Sequence, residues 1–301
     1  MKILVISILA LFLIEPLYAG DASSTGMAFL KVGGDAASTA MGGAAVSNSS
    51  GTSAIYWNPA GLANNESSEA IFSHQEWLAG SINQQLGITF PGNKISFGLG
   101  AAFSGVGDIE RRDERPTVEP LGYFSANSVA LSLSAARSQG KDIQIGVTFK
   151  FLYEKIFTYS ANGFAVDLGI KKQLSFHDIS AAVVVKDLGG MSSLNVESTQ
   201  LPARITGGIS GDFLPYSSST INWSFDAGKY FDSSAFIRFG GDLALNETLN
   251  LRAGYRKNSK NSSGYSAGFG IHRKGYRFDY AYLPFDFNFR DTHQITFRIG
   301  F

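Results

Sequence analysis

From about Glu69 to Phe301 the chain alternates between large apolar side chains and a second set of Gly, Ser, Ala and charged residues. Ile95, Phe97, Leu99, Ala101 and Phe103 interleave with Ser96, Gly98, Gly100, Ala102 and Ser104. The pattern returns around 143–151, 164–170, 221–227, 249–255, 276–282 and 293–301. A period of two is that of an extended strand, whose side chains point alternately to opposite faces. A soluble β-sandwich alternates too, but it turns its large apolar face inward and a polar face to water. Here the face opposite the apolar one is too small and too charged to complete a second packed layer. A bilayer, by contrast, can solvate the apolar face directly. Lys150, Asp167, Arg204, Asp226, Arg238, Asp242, Arg252, Asp279 and Arg298 all fall on the small-residue face. On the lipid face a charge would cost about 2–4 kcal/mol near the midplane. The fold expected is therefore all-β: a closed antiparallel transmembrane β-barrel, with these charges lining the lumen and pairing there or meeting water.

The alternating segments resolve into about fourteen strands: 69–77, 84–90, 94–105, 123–136, 142–155, 161–171, 177–187, 202–212, 219–229, 234–245, 248–257, 264–273, 275–284 and 292–301. Strands of about ten residues suit a steeply tilted crossing. The connections 106–122, 188–201 and 285–291 are long and odd-numbered, whereas Pro91-Gly92-Asn93 and Lys274-Gly275 are tight and even-numbered. Long loops on one side and short turns on the other is the outer-membrane pattern. The connection 212–218 fits it less well. Trp77, Tyr123, Tyr153, Tyr230, Tyr255 and Tyr282 stand near strand ends, where interfacial aromatics collect.

The N-terminus reads differently. Lys2 precedes an apolar run from Ile3 to Ile14, broken by Glu15 and Pro16 and followed by Leu17-Tyr18-Ala19. That is the pattern of a secretory signal peptide over residues 1–19, which implies export. Residues 20–66 are small, Gly-rich and poorly alternating. A short helix at 36–46 is weakened by Gly42 and Gly43. This stretch is expected to form a plug-like segment ahead of a barrel at 67–301.

Composition removes several function classes. With 25 basic and 25 acidic residues and no basic run, nucleic acid is not expected as a partner. The absence of cysteine removes disulfides, thiolate metal sites and a Cys-linked lipid anchor. His74, His177, His272 and His293 have no zinc spacing. Gly105-Val106-Gly107-Asp108 lacks the Lys and following helix of a phosphate loop. The charged run from Asp108 to Arg115 reads as a solvated outer loop. No cofactor and no catalysis are expected. A barrel enzyme acting on lipids stays the outlying alternative, because it needs a serine and a histidine brought together by a polar third group.

Gly26-Met27-Ala28-Phe29-Leu30-Lys31-Val32-Gly33, Ala40-Met41-Gly42-Gly43-Ala44 and, most specifically, Ser53-Ala54-Ile55-Tyr56-Trp57-Asn58-Pro59-Ala60-Gly61-Leu62 resemble the start of the PorV/PorQ family of FadL-like outer-membrane barrels. Phe72-Ser73-His74-Gln75-Glu76-Trp77 is similar to its first strand, and the chain ends on Phe301 as such barrels commonly do. The resemblance covers the first 80 residues closely and the rest by pattern. It implies a fourteen-stranded barrel in the outer membrane, with the N-terminal segment near or inside the lumen. It also implies transport or binding of hydrophobic small molecules or a scaffold role, or else type IX secretion through binding of the C-terminal signal domains of cargo proteins. The implied partners are outer-membrane lipids, those solutes or cargo, and the barrel-assembly machinery acting on the strand that ends in Phe301. Tyr56, Trp57, Asn58, Pro59 and Gly61 are the plug or gating candidates. Asn58-Pro59 suits a turn, since the residue before proline avoids helix. That turn either seats the plug or gates the lumen.

Overall fold

In the computed structural model the described residues are 26–114, 118–174, 178–195, 197–198, 200–216, 219–231, 234–259, 263–284 and 291–301. The expected signal peptide, residues 1–19, and His177 lie outside them. Fourteen strands close into one antiparallel barrel. They are β1 (Glu69–Glu76), β2 (Ile82–Phe90), β3 (Ser96–Arg111), β4 (Gly122–Gln139), β5 (Ile143–Ile156), β6 (Tyr159–Gln173) and β7 (Ser180–Met191), followed by β8 (Arg204–Tyr216), β9 (Ser219–Tyr230), β10 (Ala235–Leu245), β11 (Leu249–Asn258), β12 (Ser263–Arg273), β13 (Tyr276–Leu283) and β14 (Thr292–Gly300). Each pairs with its neighbours along the chain. The seam is closed by β1 on β14, from Glu69 opposite Gly300 to Glu76 opposite His293. Closure leaves no unpaired strand edge, the condition for crossing hydrocarbon with β-structure. A two-stranded hairpin, Ser193–Leu194 with Glu197–Ser198, sits in the β7–β8 connection.

The two faces separate as the alternation requires. Phe149, Phe164 and Phe239 are 59%, 68% and 52% exposed on the outside, while Lys150 is 6% exposed and Asp167 and Asp226 are 0% exposed on the inside. Among the described residues, no helix is long and apolar enough to cross a membrane. The apolar belt is carried by strands alone.

Three expectations about strand ends are corrected. The connection expected at 106–122 is shorter, because β3 continues to Arg111 and β4 begins at Gly122. A bulge between Val106 and Ile109, with Asp108 at φ 52°, breaks the alternation there and hides the strand from a period-two reading. Asp108 to Arg111 thus stand in β3 and not in a loop. Residues 188–191 likewise belong to β7, beyond a second bulge. The β8–β9 connection is tight, since Tyr216 already pairs with Ser219. The barrel end carrying 112–121 and 192–203 is called the loop end below, and the other the turn end.

Residues 26–66 fold inside the barrel as short pieces: a 3-10 turn Ala28–Lys31, helix α1 (Ala36–Ala40), helix α2 (Ser53–Tyr56) and a 3-10 turn Pro59–Leu62. Asp35 caps α1, its Oδ1 accepting from Ser38 N at 3.0 Å. The helix stops short of the expected 46 because Gly42 and Gly43 turn left-handed, at φ 71° and 79°.

Candidate functional site

The plug is held by its backbone. Short helices and turns leave many peptide groups without internal partners, and a buried peptide group must find one. The wall supplies them. Ala36 N donates to Thr296 Oγ1 (2.9 Å) and Gly42 N to Ser266 Oγ (2.9 Å). Ala45 N and Val46 N donate to Asp226 Oδ2 at 2.8 and 3.0 Å. Thr52 N donates to Glu69 Oε1 at 2.9 Å. In the other direction, Gln85 Nε2 donates to Gly33 O (3.1 Å), Arg238 Nη1 to Gly43 O (3.2 Å) and Arg204 Nη2 to Leu30 O (3.3 Å). Lys186 Nζ donates to Tyr56 O.

The glycines of the inner face are where the plug lies against the wall. A Cβ on Gly169 of β6 would sit 2.0 Å from Asn58 Oδ1, and one on Gly146 of β5 would sit 2.4 Å from the Pro59 carbonyl carbon. On the far side, a Cβ on Gly254 of β11 would meet Gly42 N at 2.0 Å. The small-residue face therefore does build a packed core, with the plug as its second layer. This corrects the expectation that the small-residue face completes no second packed layer: the N-terminal segment supplies that layer.

The five plug candidates occupy one corner of this packing. Asn58 is fully buried; its Nδ2 donates to Val46 O at 2.9 Å and its Oδ1 accepts from Ala60 N at 3.1 Å, capping the Pro59–Leu62 turn. A Cβ on Gly61 would strike Ser49 O at 2.2 Å. Trp57 Nε1 donates to Asp35 Oδ2 at 3.1 Å, and Asp35 Oδ1 is 2.6 Å from an Arg298 Nη2. Burial pushes the Asp35 carboxyl up, but the Arg298 guanidinium and the Ser38 donors outweigh it and hold the group below the usual aspartate range. The Tyr56 hydroxyl donates to Leu86 O and also lies 3.3 Å from Ala101 O, and burial raises its phenol above the ordinary value.

The nine charges read from the alternation all point inward and fall into groups. Lys150 Nζ lies 2.7 Å from Asp167 and 2.6 Å from Asp187, and Arg204 reaches Asp187 at 2.8 Å. Lys186 is 3.5 Å from Asp167. Arg252 joins Asp242 (2.9 Å) and Asp279 (2.7 Å). Asp226 and Arg238 serve the plug backbone. Arg238 also stacks 4.3 Å from the Phe236 ring centroid and 5.7 Å from that of Trp57. Sequence reasoning missed Lys186, which its parity in β7 could have revealed. It also missed Asp187, which had no such signal: a bulge and a left-handed φ of 59° turn it inward beside Lys186. Tyr230, expected at the interface, is buried in the lumen between Arg204 and Lys31, at centroid distances of 5.7 and 5.0 Å.

The plug packs differently toward the two ends. Toward the loop end, Met27, Leu152 and Leu201 are buried against Ala102, Ala130 and Ala165, with Phe29, Leu30, Tyr56 and Met191 packed around them. Toward the turn end lies a polar recess of about 320 Å³, lined by Ser47, Asn48, Lys171, Gln173, Ser180 and Asn222 among others. An apolar cluster between plug and wall and a polar recess thus lie toward opposite ends of the barrel.

None of the protein families with a sequence model matches this chain, and neither does any curated protein. Solved structures do. The monoaromatic hydrocarbon channel CymD superposes with a TM-score of 0.70 at 13% identity, over 90% of this chain and 98% of its own. The Pseudomonas putida toluene transporter TodX gives 0.65 at 13% identity, over 89% and 99%. A Pseudomonas aeruginosa FadL homologue gives 0.57 at 9%, over 88% and 97%. This is the FadL-like barrel fold. The likeness spans nearly the whole length of each structure.

Proposed function

We propose that this chain is an outer-membrane barrel that admits small hydrophobic molecules, with its own N-terminal segment as the closure. The supporting observation is the apolar cluster that Met27, Phe29 and Leu30 of the plug form with Leu152, Met191 and Leu201 of the wall and loop. An apolar solute entering from the loop end, which faces outward by the outer-membrane pattern, replaces these plug side chains and gains the same burial, about 25 cal/mol per Å². The plug fills the way from that cluster to the turn end, so passage requires it to shift. The names of the similar channels, for toluene and monoaromatic hydrocarbons, point to the same solute class. The reading involves no covalent step. Phe301, 64% exposed at the turn end, is the proposed handle for assembly into the membrane.

The test is uptake of labelled toluene by cells with an intact outer membrane that express the protein. Asn58→Ala removes two buried hydrogen bonds, worth about 1 kcal/mol each, and is expected to raise uptake several-fold. Leu152→Arg places a charge in the apolar cluster and is expected to abolish uptake. Uptake equal to that of cells lacking the protein, in wild type and Asn58→Ala alike, sinks the reading. A second reading, a PorV/PorQ-type receptor for cargo signal domains, is favoured by the resemblance of residues 53–62. It requires cargo to co-purify with the barrel.

A further inference from the structure

Between β4 and β7 the outer wall carries a groove of about 590 Å³ lined by Ala135, Ile145, Val147, Leu168, Ile170 and Val183. It is shallow in side chain because Ala135 and Val147 stand where the next row toward the loop end has Leu133 and Phe149, 52% and 59% exposed. Gly146 and Gly169 form part of its floor. The volume falls within the roughly 300–1,000 Å³ of small-ligand sites.

The groove is charged at one end only. Arg137, exposed, lines it in the same row as Ile145, Ile170 and Val183. Lys172 lies outward one row nearer the turn end, opposite Ile143. Lys94 and Lys141 follow in the β2–β3 and β4–β5 turns, beside a single carboxylate, Asp142. Asp178 of the β6–β7 connection lines the polar recess instead. Long basic side chains at this depth reach the interface while their stems cover apolar surface.

We infer that this groove is a docking site for one anionic phospholipid of the turn-end leaflet, an acyl chain lying along Ala135, Val147 and Val183 and the phosphate held by Arg137 and Lys172. A concave apolar surface capped by cations at headgroup depth matches that amphiphile. The convex wall of a second barrel would leave the groove empty and set cation against cation. The site is independent of whether the lumen transports anything.

The experiment is native mass spectrometry of the full chain released from nanodiscs of mixed dioleoyl phosphatidylglycerol and phosphatidylethanolamine. Wild type is expected to retain phosphatidylglycerol preferentially. Each cation near an anionic headgroup contributes about five-fold, so R137Q/K172Q should retain it about thirty-fold less, with phosphatidylethanolamine unchanged. Ala135→Phe fills the groove and should lose the lipid with both cations present. Phosphatidylglycerol retained at the wild-type level by either variant, each shown to be closed by heat-modifiable migration, overturns the proposal. So does disulfide-linked dimerisation in membranes of an Ile170→Cys variant, which is informative because the chain has no cysteine of its own.

Discussion

At the residue scale the interior depends on atoms that have no room to move. Gly169 is the sharpest case. Gly169→Ala would place a methyl group 2.0 Å from Asn58 Oδ1, and neither the strand nor the capped turn can retreat without breaking hydrogen bonds. The expected outcome is a barrel that closes normally while its plug becomes cleavable by added protease. A plug as resistant as wild type would contradict the seating described. Asp35 gives a second case. Its carboxyl is held below the ordinary aspartate value, so its contribution is fully present above that value and is lost only as pH falls through the lower, folded one. Plug protection should therefore be flat across neutral pH and fall only in strong acid. Asp35→Asn, which strands Arg298 in the interior, should cost about 3–5 kcal/mol at neutral pH, read from urea unfolding in vesicles.

At the scale of elements, the bulge in β7 decides the charge arrangement. Regular pairing would send residue 187 outward into lipid. The bulge turns Asp187 inward, where it bridges Lys150 and Arg204 and where its own N–H donates to Asp167 Oδ1 at 2.8 Å. Asp187→Ala is expected to leave Arg204 without a carboxylate and to lower stability by about 3–5 kcal/mol, because the cation stays buried. The same variant should not change strand content by circular dichroism, since β7 pairs β8 from Lys186 to Ser180 independently of that side chain.

For the whole molecule, closure and plugging are separable. The β1–β14 seam is a continuous ladder of eight paired positions, Glu69 to Glu76, that the plug does not enter. Deleting residues 26–66 should therefore leave a heat-modifiable, closed barrel whose inner Ser, Thr and charged groups are hydrated. It should conduct ions in planar bilayers where the full chain conducts little. A deletion variant that no longer shifts on a gel after heating would show that the plug is needed for the barrel itself.

The alternation was enough to read the barrel, its strand number and the inward direction of charges such as Lys150, Asp167 and Arg252, because a period of two maps each residue to a face regardless of what lies beyond it. It also located the plug corner at Tyr56 to Gly61 through turn chemistry and resemblance. It could not reveal what the inner face touches. A glycine in a strand looks the same whether water or the carbonyl of Pro59 lies opposite, and Asp187 changes face through a backbone irregularity with no mark in the residue order. Those features depend on contacts between residues more than two hundred positions apart, such as Gly42 with Ser266 (224 positions) and Ala36 with Thr296 (260 positions). Local pattern determined the wall and its two faces; only the tertiary arrangement decided that the inner face is filled, because burial of the plug's unpaired peptide groups is satisfied by distant side chains and not by the plug itself.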